Sequence, residues 1–133
     1  MFSHFTKVEA NLILPTVIKK FKNIVSLKDQ VMVIQSEMET NPKYMSNFKD
    51  YVIKKQEFNT VMSNFYKAIE DLESMGVMIK SIEEGLLDFP SIRFNEEVFL
   101  CWNEGETEIK FWHGRDEGFM GRKPLSVSDE SLV

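Results

Sequence analysis

Two apolar heptads, one on each side of Asn41-Pro42, limit what this chain can fold into more than any other feature. The first runs through Leu14, Val17, Phe21, Ile24, Lys28, Val31, Gln35 and Met38, and six of those eight positions are apolar. The second runs through Phe48, Tyr51, Lys55, Phe58, Met62, Phe65, Ile69 and Leu72. Repeats of this kind give each helix one buried stripe, and a short connection between two such helices makes them antiparallel neighbours. The hairpin is expected over residues 6–75. Two helices cannot cover both stripes by themselves, so the remaining apolar surface must meet the rest of the chain or a second copy of it.

The ends of these helices are written in the sequence. Thr6-x-x-Glu9 reads as a capping box, in which the threonine hydroxyl accepts from the backbone N–H three residues on while Glu9 reaches back to the cap. Pro15 removes one donor and predicts a kink near residues 11–15, or a separate short first helix. Asn41-Pro42 reads as a cap followed by proline in the first helical position, which starts the second helix. Gly76 ends it as a left-handed cap.

After Gly76 the period shortens to that of strands. Val77-Met78-Ile79-Lys80 is a strand candidate. Ile92-Arg93-Phe94 and Glu97 to Trp102 flank Asn95-Glu96 as a hairpin, and Asn103-Glu104-Gly105-Glu106 turns into Ile109-Lys110-Phe111-Trp112-His113. The expected fold class is therefore α+β, a long antiparallel helical hairpin followed by an antiparallel meander of three or four strands. Val98, Leu100 and Trp102 fall on one face of the third strand, Phe99 and Cys101 on the other. A sheet apolar on both faces must be covered on both. The hairpin can cover one face, and a dimer partner or the loop after residue 113 the other. The reading is one domain over 1–123, with 76–123 as its β-rich segment and 124–133 as a frayed, Ser- and acid-rich tail.

Composition narrows the function classes. The chain has 133 residues, suited to one domain, and an apolar fraction of 43 % that is ample for a packed core. Residues 7–75 carry ten basic and nine acidic side chains, and residues 76–133 carry six and twelve. An acidic half repels phosphate, so nucleic acid is not an expected partner, and Lys19, Lys20 and Lys22 read as a solvated helix face. No stretch approaches the roughly 20 apolar residues that span a bilayer, and the first residues lack the pattern of a signal peptide. A soluble cytoplasmic protein is expected. Cys101 is the single cysteine, so neither an internal disulfide nor a cysteine-rich zinc site can be built from this sequence.

Few residues can carry chemistry. His113 ends a strand beside Trp112 and opens Gly114-Arg115-Asp116-Glu117-Gly118. It could hold a divalent cation such as zinc with Asp116 and a carboxylate delivered by Asp88 or Glu9, or it could be structural and order the loop. Glu108, at an odd offset, points to the opposite face. Asp88 sits inside the apolar run Gly85-Leu86-Leu87-Asp88-Phe89-Pro90, where a buried carboxylate needs a partner, and Arg93 or Arg122 would serve. Cys101 reads as a small hydrophobe, with His113 the one base that could activate it. His4 reads as an exposed end. There is no Gly-x-x-x-x-Gly-Lys-Ser/Thr loop and no Gly-x-Gly-x-x-Gly fingerprint, and helices without histidine cannot build a Glu-x-x-His di-iron site.

Five segments together resemble a known family. They are Phe5-Thr6-Lys7-Val8-Glu9-Ala10-Asn11 with Leu14-Pro15, Gly76-Val77 with Ile79-Lys80, Gly85 to Pro90, Leu100-Cys101-Trp102 continuing to Gly105-Glu106, and Glu108 to His113 with Gly118-Phe119-Met120-Gly121-Arg122. The chain up to Arg122 is similar to the uncharacterised prokaryotic family known as domain of unknown function 2203. The resemblance implies the same helical-hairpin-plus-β plan and brings no established activity. It marks Glu9, Asp88, Cys101, Trp102, Glu108, His113 and Arg122 as motif positions, and Met120 as a departure where the family tends to have a small residue. Two functions remain open: an interaction or scaffold module acting as a homodimer or on another protein, and a divalent-metal protein, even a small hydrolase.

Overall fold

The computed structural model describes residues 4–125. The elements run in the order α1 (Lys7–Thr40), α2 (Pro42–Ser46), α3 (Phe48–Glu73), β1 (Met78–Ser81), β2 (Leu86–Arg93), β3 (Glu96–Asn103), β4 (Phe111–Gly114), a 3-10 turn (Phe119–Gly121) and β5 (Lys123–Pro124). The fold is α+β, helices followed by an antiparallel meander, with the five strands in sheet order β1-β2-β3-β4-β5. The chain divides into two compact units, one of residues 1–19 with 72–133 and one of residues 20–71. The expected tail falls mostly on residues 126–133, outside the described residues.

In the first unit the capping box forms as its residue types dictate. Glu9 Oε1 accepts from Thr6 N–H at 2.8 Å and Thr6 Oγ1 accepts from Glu9 N–H at 3.0 Å. The cap fixes where the chain turns from extended to helical, and so places the residue before it. Phe5 is fully buried against Phe89 of β2, edge to face with ring centroids 5.4 Å apart. Its backbone joins the sheet margin, Phe5 N–H donating to Pro90 O at 2.7 Å and Phe5 O accepting from the buried Ser91 hydroxyl at 2.6 Å. One turn on, Asn11 Oδ1 accepts from Ile109 N–H at 2.6 Å and its amide donates to Ile109 O at 3.4 Å. Ala10, Leu14 and Val17 follow on the buried stripe.

Helix α1 passes Pro15 without a break, so the alternative of a separate first helix is not realised. Pro15 lies on the exposed side, where water can serve the Asn11 carbonyl that loses its donor. The second helix differs from expectation at its start. Asn41 does cap Pro42, but that helix ends after five residues, and Asn47 in extended conformation caps a new one, its Oδ1 accepting from Asp50 N–H at 3.2 Å. An asparagine that can bond its own backbone offers the chain an exit from the helix, and here the chain takes it.

In the second unit, residues 20–71, α1 buries Phe21, Ile24, Val31 and Ile34. At this level of α1 Ile34 is buried and Gln35 is exposed, so the stripe leaves the strict heptad there. On α3 the heptad holds from Phe58 through Met62, Phe65 and Ile69, all half-buried, while Phe48 is 80 % exposed and Lys55 is exposed. Lys54 of α3 reaches Glu37 of α1 at 2.8 Å and Glu57 at 3.2 Å.

The sheet extends the expected one. Leu86–Arg93 is a strand throughout, and Phe94 and Asn95, both at positive φ (52° and 63°), make the two-residue turn into β3. Gly76 has φ 93°, as a left-handed cap requires. Asn11→Ala should leave the buried Ile109 N–H without an acceptor and cost about 1–3 kcal/mol. Urea unfolding reads this directly, and a loss below ~0.5 kcal/mol would mean that the Asn11 bonds do not hold the helix start to residue 109.

Candidate functional site

Strand alternation assembles the site. Asp88 of β2 pairs with Cys101 of β3, and His113 of β4 pairs with Phe99, two residues from Cys101, so all three side chains leave the same face of the sheet. Lys80 joins them from β1, where the register shifts between Ile79 and Ser81. The face is roofed by the segment after β4. There Glu117 Oε1 accepts from Gly114 N–H at 2.9 Å and from Lys123 Nζ at 2.6 Å, which closes the loop on itself. Arg122 grips Glu106 with both terminal nitrogens at 3.0 Å and lies over the rings of Phe111 (4.0 Å) and Phe119 (4.6 Å). Among the predicted covers for this face, the loop after residue 113 is the one the chain uses. Met120 is 94 % exposed, so its bulk stays outside while Gly118 and Phe119 face inward.

Asp88 and His113 are both nearly inaccessible, at 2 % and 3 % exposure. His113 Nε2 lies 2.9 Å from Asp88 Oδ1, and Nδ1 lies 2.9 Å from Gly114 O. A carbonyl oxygen only accepts, so Nδ1 carries a hydrogen, and the bond at Nε2 requires one further proton on one side of the pair. Among the described residues Asp88 Oδ2 has no hydrogen-bond partner, and Lys80 Nζ is 3.9 Å from it. Burial pushes the Asp88 carboxyl upward from its usual value, an effect that His113 and then Lys80 oppose without reversing. Burial likewise pushes the Cys101 thiol up against the opposing pull of Arg122, so this sulfur is poorly ionised. Around these groups lies a cavity of about 200 Å³, walled by Leu86, Leu87, Trp102 and Phe119 as well as by Asp88, Cys101, His113 and Lys80.

Of the residues expected to share a cation, the fold brings together Asp88 and His113. Glu9 is engaged in the capping box, and Asp116 stands exposed in the turn after β4. Both imidazole nitrogens of His113 are bonded, so a cation at either would have to displace Gly114 O or Asp88. Among the described residues no group of three or more His, Cys, Asp or Glu side chains is placed to hold a metal ion. Asp88 takes His113 as its partner rather than Arg93 or Arg122; Arg93 instead lies over the Trp112 ring at 4.5 Å. Glu108 precedes β4, exposed and 3.5 Å from Lys110. Trp102 is buried, its Nε1–H donating to Glu106 O at 2.8 Å. His4 bonds Glu97 at 3.0 Å. Lys80, Glu106 and Phe119 escape sequence reasoning. The pairing of β1 with β2 brings in the first, two residues from the Met78 that faces Asp88, and the pairing of Arg122 with Glu106 spans 16 residues with no periodic signal.

The helical unit has a feature of its own. A groove of about 600 Å³ runs between its helices, with Lys22, Val25, Ser26, Asp29, Gln30, Val33, Ile34 and Glu37 contributed by α1 and Lys54, Glu57 and Val61 by α3. Among the described residues no helix is long and apolar enough to cross a membrane.

Because the native Asp88 carboxyl holds its proton more firmly than the unfolded chain does, its contribution to stability is present at low pH and is lost as pH rises through the native value. The stability of the parent relative to Asp88→Asn should therefore fall as pH is raised from the ordinary carboxyl value of 3.8 towards neutrality. Parallel urea titrations of the two proteins measure this, and a difference that grows with pH would contradict the assigned direction.

The family model described as an uncharacterized conserved protein (DUF2203) matches residues 3–125, and the chain belongs to that family. Neither a curated protein nor a solved structure matches the chain.

Proposed function

We propose that this member of the uncharacterized conserved DUF2203 family is a self-associating interaction module whose helical unit pairs with a second copy of itself. The observation that carries this reading is the composition of the α1 groove. Set antiparallel to itself about a two-fold axis between Asp29 and Gln30, α1 brings every one of its groove residues opposite another. Lys22 meets Glu37 of the partner copy, Val25 meets Ile34, Ser26 meets Val33 and Asp29 meets Gln30. A two-fold interface needs this self-complementarity, since residue i must suit residue j and j must suit i. The two ends of the seam carry opposite charges, the polar Asp29 and Gln30 stand at its axis, and between axis and ends lie aliphatic side chains, of which Val33 is 57 % exposed in the single chain while Ile34 is already buried there. Apolar exposure of this kind recurs along the unit, at Met32, Met45 and Phe48.

Sedimentation velocity of the whole chain at micromolar concentration tests the reading. A dimer is expected. Lys22→Glu places like charges at both ends of the seam and should weaken association by about tenfold, an effect that fades as salt rises. Val33→Glu would enclose an unpaired charge opposite Ser26 on each side of the axis and should give a monomer of unchanged helicity. A parent chain that sediments as a monomer, or a Val33→Glu variant as dimeric as the parent, would overturn the proposal.

A further inference from the structure

The cavity beneath Phe119 contains a buried oxygen, Asp88 Oδ2, that no donor among the described residues satisfies. Its chemistry can be stated more narrowly than that of an ordinary carboxylate. With Nδ1–H of His113 given to Gly114 O, two arrangements satisfy the bond at Nε2. Either the imidazole is doubly protonated beside an ionised Asp88, or the proton sits on Asp88 Oδ1 and neutral Nε2 accepts it. In both arrangements Oδ2 keeps its lone pairs and carries no hydrogen. The cavity therefore presents an acceptor whichever way the pair shares its proton, and an occupant must bring a donor. A cation would be the strongest donor in charge, but Lys80 stands 3.9 Å from the same oxygen and repels one. The remaining wall, with the side chains of Leu86 from the Asp88 face and Phe119 from the loop, asks for an apolar body. A volume of about 200 Å³ is enough for a single ring, since an apolar cavity of about 150 Å³ accepts benzene.

We propose that this cavity is a binding site for a small uncharged hydroxyl compound with an apolar body, a phenol or an alcohol of similar size, whose O–H donates to Asp88 Oδ2. The site is independent of association through the helical unit. Burying the hydroxyl of such a compound at an unsatisfied acceptor replaces the one hydrogen bond the wall lacks, while the ring fills space that water would occupy with few partners. The acceptor thus discriminates a phenol from a hydrocarbon of equal size, and Lys80 discriminates it from an amine.

Titration of the intact chain with phenol, toluene and benzylammonium, followed by the backbone amide resonances of Leu87, Cys101, Trp102 and Gly118, tests this. Phenol should shift these resonances and bind about tenfold more tightly than toluene, the worth of one hydrogen bond, with benzylammonium weaker than phenol. Asp88→Asn should keep the preference for phenol, because its amide can donate to Nε2 and leave its carbonyl facing the cavity. Asp88→Leu should abolish it. Should that variant fail to fold with His113 left unpaired, Cys101→Met narrows the cavity from the neighbouring strand and should lose phenol. Toluene equal to phenol, benzylammonium tightest of the three, no probe shifting the resonances, or phenol binding unchanged in Cys101→Met would each overturn the proposal.

Discussion

Strand β3 is apolar on both of its faces, and much of the first unit follows from the need to keep water from each. Leu100 and Trp102 on one side and Cys101 on the other are buried. One face is the Phe89 face, where Phe5 is anchored by its ring and by both of its backbone polar groups. The capping box sets the angle at which the chain leaves Phe5, and Asn11 secures the next turn to the peptide of Ile109. The other face is roofed by a loop that would have little reason to stay closed on its own. Glu117 supplies that reason from inside the loop and Arg122 from its end. Arg122 works as much through its flat stacking against Phe111 and Phe119 as through its charge, which a lysine could not imitate.

A covered face that contains an aspartate and a histidine must solve a second problem, since each would be costly to bury alone. Pairing them solves it with one shared proton, and the neighbouring carbonyl of Gly114 uses the remaining imidazole hydrogen. The solution satisfies three of four polar positions. The fourth, Asp88 Oδ2, is left facing space with only the distant ammonium of Lys80 near it. Buried groups are so generally satisfied in folded proteins that such an exception asks for an occupant. The arrangement also explains why Cys101 is a poor nucleophile here. Its ionisation is suppressed by burial, and both nitrogens of His113, the base it would need, are bonded elsewhere.

The helical unit shows the opposite situation. Its two helices share one seam, pinned by the reach of Lys54 to Glu37, and the outward side of α1 keeps exposed Met32 and Val33. A two-helix hairpin lacks the third surface that would complete a core, and antiparallel association with an equal hairpin is the simplest source of one. In the proposed association, the self-complementary order of residues along α1 would set a register rather than leave a mere apolar attraction.

Much of this was legible in the residues themselves. The capping box at Thr6 and Glu9, the cap at Gly76, the heptad of α1 and the two apolar faces of residues 98–102 are signals within a few residues of one another, and each appears in the structure where local chemistry places it. The helix break at Asn47, the strand status of residues 86–91 and the short β5 were not legible. Asn47 competes with the helix only by a small local preference, Pro90 argues against a strand, and β5 exists only because β4 is beside it. The site divides in the same way. That Asp88 needs a partner and that His113 stands at a strand end follow from the residues alone, one from an acid in an apolar run and the other from the alternation before it. That the two serve each other across 25 residues is set by strand register, and that Lys80 and Phe119 surround them by the closure of β1 and of the loop, neither of which periodicity encodes.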